Sequence, residues 1–219
     1  NLVQSMTTGE DGTCKSEALA ASTYYVKELT APRGYVLDPS VYTLVVTAGQ
    51  TTSFTRADKA QIGAISIYKE GEVLTGWNGE KFVYEARKLP GATFSVTAAE
   101  DIYRADGVKA YSAGSVIAKD LTTGRDGVVV LGNLYLGAYT VTETKGIDGY
   151  VTNENPVTVN IDYLDQTAEV QYGDATIRNE RQKARVTIVK KDAATHNPLV
   201  GGEFTIYAVN DIFGHDGNL

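Results

Sequence analysis

The chain has 219 residues, with 27 acidic against 20 basic side chains, a formal net charge of −7 and one cysteine, Cys14. Interspersed charge with an acid excess excludes the basic stripe that a nucleic-acid backbone requires, and a single cysteine excludes an intrachain disulfide framework or a cysteine-rich zinc site. The apolar pattern has period two nearly throughout, the turns are rich in Gly, Asp and Asn, and no helical stripe of useful length occurs, so the expectation is an all-β sandwich.

Taken in chain order, the elements recur. Residues 6–12 return as residues 121–127 and residues 24–28 as residues 139–143, both at an offset of 115, and residues 34–36 follow as residues 149–151. Residues 58–69 return as residues 179–190 at an offset of 121, while residues 89–94 return as residues 199–204 at an offset of 110. Self-similarity on this scale marks an array of domain-sized repeats. Residues 1–60 read as the C-terminal half of a first repeat, 61–182 as a complete repeat and 183–219 as the N-terminal part of a third. The sequence opens without Met and stops inside a motif, so a signal peptide, membrane anchor or sorting signal is expected outside this window.

Within the complete repeat the alternation predicts strands near residues 63–69, 92–98, 115–119, 127–131, 137–144, 155–163 and 168–179. Asp126 followed by Gly127 marks a hairpin turn, as Asp11 and Gly12 do in the first repeat. Between the first two of these strands stand nineteen residues, 70–88, where the next repeat has eight, 191–198. The insertion carries Trp77, Phe82 and Tyr84. It reads either as an adhesive loop, since exposed aromatics favour interfaces, or as a flap whose aromatics cover an edge of the sandwich.

Alternation also puts polar residues where apolar ones belong. Ile65, Ile67 and Lys69 share one face, as do Val186, Ile188 and Lys190; Tyr139, Val141 and Glu143 share another, and Ala175, Ile177 and Asn179 repeat the pattern near the end of the unit. A lysine, a glutamate and an asparagine thus enter one core. Unpaired buried charges cost several kcal/mol, so these groups must pair, shift their pKa values or react. Desolvation favours the neutral amine, a nucleophile, and the protonated acid, which polarises a carboxamide by donating to its oxygen. Attack of Lys69 on Asn179, with Glu143 moving protons and ammonia leaving, would form an intramolecular isopeptide bond once, without turnover. A buried but unreacted Lys-Glu-Asn network would produce the same alternation.

Three stretches resemble the SpaA/Cna B-type, prealbumin-like repeats of Gram-positive surface adhesins and pilins. They are residues 190–199 (Lys-Lys-Asp-Ala-Ala-Thr-His-Asn-Pro-Leu) leading into 201–204, residues 24–35 (Tyr-Tyr-Val-Lys-Glu-Leu-Thr-Ala-Pro-Arg-Gly-Tyr) and residues 179–182 (Asn-Glu-Arg-Gln). The resemblance implies tandem reverse-immunoglobulin/prealbumin-like β-sandwich repeats, each with a first-strand lysine joined to a last-strand Asn or Asp under the influence of a Glu. It assigns Lys69, Glu143 and Asn179 to the complete repeat, Glu28 and Asp58 to the first and Lys190 to the third. Two departures stand out: Phe54, Arg56 and Asp58 share a face in the first repeat, and Gly-Ile-Asp-Gly at 146–149 replaces the Ala-Pro-Arg-Gly of 31–34.

Weaker signals point elsewhere. Asp101 and Asp106 before Gly107, copied as Asp211 and Asp216 before Gly217, loosely suggest calcium but lack the ligand density of a calcium loop, and read as a turn. His196 and His215 lie apart, which disfavours a zinc or acid-base site. Residues 89–93, superficially like a sortase signal, read as internal packing. The expected function is a structural stalk repeat of a cell-wall-anchored adhesin or pilin, outside the cell, with no metal or cofactor and with neighbouring repeats as partners. The alternative is a module that binds a host glycan or matrix protein through Trp77. An enzyme is the third class, and no convergent catalytic set supports it.

Overall fold

The computed structural model describes residues 2–213, which form twelve strands and no helix. The chain divides into two compact units, residues up to Gln61 together with Tyr163–Glu169, and Ile62–Asp162 together with the residues from Val170 onward.

In the first unit β1 (Ser22–Lys27) pairs antiparallel with β2 (Val41–Val46), Ser22 opposite Val46 and Lys27 opposite Val41. Residues 163–169 are held here by hydrogen bonds. Ala31 N–H donates to Gln166 Oε1 (2.9 Å), Leu37 N–H to the Gln166 carbonyl (2.8 Å), and the Gln61 amide to the carbonyls of Asp165 (2.7 Å) and Ala168 (2.8 Å).

The second unit holds β3 (Ile62–Trp77), β4 (Phe82–Lys88), β5 (Thr93–Ala98), β6 (Ile102–Tyr103), β7 (Lys109–Tyr111), β8 (Val116–Thr122), β9 (Val128–Leu134), β10 (Gly137–Lys145), β11 (Val157–Ile161) and β12 (Val170–Asn179). One sheet runs β11-β10-β5-β8; the other runs β12-β3-β4, with β9 also paired to β3, and β6 and β7 form a separate ribbon. Period-two sequences bury one face of each strand, and those faces meet in a core that includes Ile65, Ile67, Phe94, Val96, Tyr139, Val141, Val159, Ile161 and Ile177. The all-β expectation holds, and all seven expected strands are present.

The first strand differs in length from its expected end near residue 69. It continues to Trp77, turns back at Asn78 and Gly79, and returns as β4, with Glu70 opposite Lys88 and Trp77 opposite Phe82. Gly79 takes φ +97°, which a side chain would strain, and Asn78 Oδ1 accepts from the N–H groups of Glu80 and Lys81. The insertion is therefore a β-hairpin arm. The flap reading gives way to it, because β4 extends the sheet by pairing with β3, and Trp77 stays 56% exposed, edge-on to Phe82 at 5.2 Å between ring centroids.

The internal copies adopt matching local bonds. Gly9 N–H donates to the Thr13 carbonyl and Gly124 N–H to the Val128 carbonyl, both at 2.9 Å; Gly12 (φ +72°) and Gly127 (φ +70°) close these turns. Tyr24 Oη donates to the Ala20 carbonyl (2.8 Å) as Tyr139 Oη does to the Tyr135 carbonyl (2.7 Å). Leu89 N–H meets the Lys69 carbonyl and Leu199 N–H the Lys190 carbonyl, both at 2.9 Å, so the hairpin arm grows from a point that the later copy closes with a tight turn.

Candidate functional site

Three strands bring the buried polar residues together. β3 supplies Lys69 and β12 supplies Asn179; the two strands run parallel, with Lys69 opposite Ile177 and Gly71 opposite Asn179. β10, in the opposite sheet, supplies Glu143, and its pairing with β5 shifts register just after that residue. Such irregularities re-aim side chains, and here one follows the acid. Lys69 is 0% exposed, Glu143 2% and Asn179 3%.

The carboxylate is shared. Lys69 Nζ lies 3.2 Å from Glu143 Oε1 and 3.3 Å from Oε2, while Asn179 Nδ2 donates to Oε1 at 2.9 Å. The backbone N–H of Asn153 donates to Oε2 at 3.0 Å, fixing the carboxyl from outside the trio. Burial pushes the Lys69 amine below its ordinary pKa, against the opposing charge and hydrogen bond of Glu143. Asn179 Oδ1 is buried without a partner. An orphaned acceptor in a dry core is uncommon and calls for a reason. Rotation of the carboxamide would turn that oxygen, in place of Nδ2, toward Glu143.

Gly71 explains how the end of β12 comes so close. A Cβ there would lie 2.3 Å from Leu89 Cδ1, 2.8 Å from Tyr150 Cε1 and 3.2 Å from the Asn179 carbonyl oxygen. Leu89, Val73 and Tyr150 form a small buried cluster, so residues 89–93 begin as internal packing. Sequence reasoning passed over Gly71 and Asn153. Gly71 occupies an alternation position where a core residue is expected, which is the signal that could have marked a close approach.

The other candidates are placed separately. In the first unit Glu28 Oε2 accepts the Asp38 N–H at 2.8 Å, the counterpart of the Asn153 contact. Burial raises the Glu28 pKa, the Asp38 N–H opposes it, and the neighbouring Asp58 carboxyl raises it further. Arg56 lies over the rings of Tyr42 (4.3 Å) and Phe54 (5.2 Å). Lys190 is exposed and lies outside any strand. Asp101 accepts from Lys109 Nζ (2.8 Å) and the Ala113 N–H (2.9 Å), and Asp106 from the Val108 N–H (3.1 Å) and Arg104, so both acids serve the β6–β7 turn. His196 sits in a turn at φ +58°. His215, Asp216 and Gly217 lie outside the described residues.

The sequence matches the SpaA family, a prealbumin-like fold domain, over residues 1–60 and 80–176, most of the chain. The protein belongs to that family. Among solved structures it is similar to the Bacillus anthracis TIE protein, with 25% identity and a TM-score of 0.51, over 80% of this chain and 28% of that one. It is also similar to the major pilin SpaD of Corynebacterium diphtheriae (25% identity, TM-score 0.35, 55% of this chain, 32% of that one) and to BcpA, the major pilin subunit of Bacillus cereus (20% identity, TM-score 0.35, 56% and 29%). The chain thus spans about a third or less of the length of these relatives. Comparison with curated proteins finds no match.

Proposed function

We propose that this chain is a segment of a tension-bearing stalk on the surface of a Gram-positive bacterium, one whole repeat between parts of two others, with Lys69 and Asn179 joined by an isopeptide bond. The observation that carries the reading is the enclosure of Lys69, Glu143 and Asn179 around one carboxylate. In the reaction the neutral Lys69 Nζ attacks Asn179 Cγ. Glu143 donates its proton to Oδ1 and carries a proton from the attacking nitrogen to Nδ2; the C–N bond to Nδ2 then breaks, ammonia leaves, and the Oδ1 proton returns to Glu143 as the carbonyl re-forms. Burial, which depresses the amine, is the physical requirement for the first step. The Asn153 N–H holds Glu143 in place throughout. No turnover follows, because the nucleophile is consumed.

The linkage suits a stalk. Lys69 and Asn179 are 110 positions apart (179 − 69), and closing a loop of that size destabilises the unfolded chain by about 4 to 5 kcal/mol if the disulfide entropy treatment transfers. Tension would enter along β3, cross the bond and leave through the end of β12, bypassing everything between. Intact-mass measurement tests the bond: the chain is expected about 17 Da below its sequence mass, the loss of one ammonia, with a branched Lys69–Asn179 peptide after digestion. An unshifted mass disposes of the reaction.

Trp77, 56% exposed at the tip of the arm, favours a second reading, a module that binds a host glycan or matrix protein. Binding to a glycan or matrix-protein array that Trp77→Ala abolishes would support it; an array without signal would remove it.

A further inference from the structure

β12 stops at Asn179, opposite Gly71, but β3 runs on to Trp77. The departing chain, residues 180–183, is therefore received by the arm and by the turn beside it. Val151 N–H donates to the Glu180 carbonyl (2.9 Å), Gln182 N–H to the Gly149 carbonyl (2.8 Å) and Gln182 Nε2 to the Tyr150 carbonyl (3.2 Å). These backbone bonds have counterparts at the end of the first unit, where Val36 N–H meets the Lys59 carbonyl and Gln61 N–H the Gly34 carbonyl, both at 2.8 Å.

The arm adds contacts of its own. Glu72 Oε2 accepts from the Arg181 N–H at 3.2 Å and pairs with Lys183 Nζ at 2.7 Å. Lys183 Nζ also sits 4.6 Å from the centroid of the Tyr84 ring. Leu74 is opposite Tyr84 and Glu72 opposite Ala86, so Glu72 and Tyr84 lie on one face of the hairpin. Below them Glu70 pairs with Arg178 at 2.7 Å. Farther out, Phe82 and residues 208–212 line one open cleft. Glu72 thus faces a connector whose basic residues include Arg181, Lys183 and Arg185.

We infer that the β3–β4 hairpin is a docking arm for the connector and the opening segment of the following repeat, gripping Lys183 between Glu72 and Tyr84 and meeting residues 208–212 with Phe82. The inference rests on residues 183–219 being the start of that repeat. The arm makes this junction stiffer than a bare connector. The later copy closes residues 190–199 with a tight turn and has no arm to offer the next junction, so stiffness is assigned to particular joints of the array.

Trypsin cleavage of the whole 219-residue chain, followed by mass spectrometry, tests the grip. A chain carrying Glu72→Gln and Tyr84→Leu keeps every tryptic site and is expected to be cut after Arg181 and Lys183 about fivefold faster at low salt. The parent is expected to approach that rate as salt screens the ion pair. Lys183→Gln loosens the grip from the connector's side without touching the sheet, and is expected to speed cleavage after Arg181 to a similar degree. Cleavage of both variants at the parental rate would overturn the arm. The ammonia loss read in the same spectra reports the Lys69–Asn179 reaction separately, so either reading can fail without the other.

Discussion

Glu143 and Glu28 sit in matching local frames and face different chemistry. Each accepts a backbone N–H from the residue ten positions on, Asn153 or Asp38. Glu143 is enclosed with an amine and a carboxamide, with Lys69 Nζ beside both of its oxygens and Asn179 Nδ2 donating to one of them. Glu28 instead has the Asp58 carboxyl nearby, and its pKa is raised, first by burial and then with Asp58 adding to the shift. The same local frame thus holds an acid in both units, and under the proposed reaction the last-strand residue would set the outcome: asparagine would lose ammonia and aspartate would lose water.

The largest expected effect concerns force. In single-molecule pulling from both ends, Lys69→Ala should release the 110 positions between the joined residues (179 − 69), an added extension of about 380 Å that the parent lacks. Equal extensions would contradict the force path. Glu143→Ala should keep the sequence mass and unfold in urea with a loss of at least about 4 kcal/mol, since the linkage is absent and Lys69 is left buried without its partner.

Gly71→Ala should cost about 1 to 3 kcal/mol in the same urea assay, because the new methyl group overlaps Leu89 and Tyr150. A neutral result would remove the argument for a close approach at the end of β12. Asn179→Asp converts the complete site toward the Asp58 type. It should condense with loss of about 18 Da, roughly tenfold more slowly than the parent. Condensation at the parental rate would show that the last-strand residue does not set the chemistry.

The smallest effect is a slope. In Asn179→Ala the amine of Lys69 stays free and its folded pKa lies below its unfolded value, so the unfolded chain binds more protons. Stability relative to the linked parent should therefore rise as pH climbs from the folded value toward about 10.5, and the amine's contribution is lost again as pH falls through the folded value. Urea midpoints for both proteins at pH 7 and pH 10 measure it. A difference that stays flat would mean that burial does not depress the amine.

Much of this site was legible in the residues alone. Lys69, Glu143 and Asn179 each continue an apolar alternation, and side-chain parity in a strand is local, so three neighbours suffice to say that a polar group points inward. Strand positions were readable for the same reason. β4 was not anticipated, although Asn78 and Gly79 between Trp77 and Phe82 carry a hairpin signal; the stretch stood out as an insertion relative to the later copy, and insertions read as loops.

The order of apolar and polar residues by itself determined the all-β class, the inward-facing lysine, acid and asparagine, and the recurrence at offsets of 115, 121 and 110. Only the tertiary structure decided that one carboxylate serves both Lys69 and Asn179, that Gly71 admits Tyr150, that residues 163–169 group with the first unit, and that Lys183 ends on Glu72. The physical reason is register. Which residue of β3 lies opposite which residue of β12 depends on a pairing more than a hundred positions apart in sequence, settled by packing two sheets on one core, and a local pattern carries no information about it.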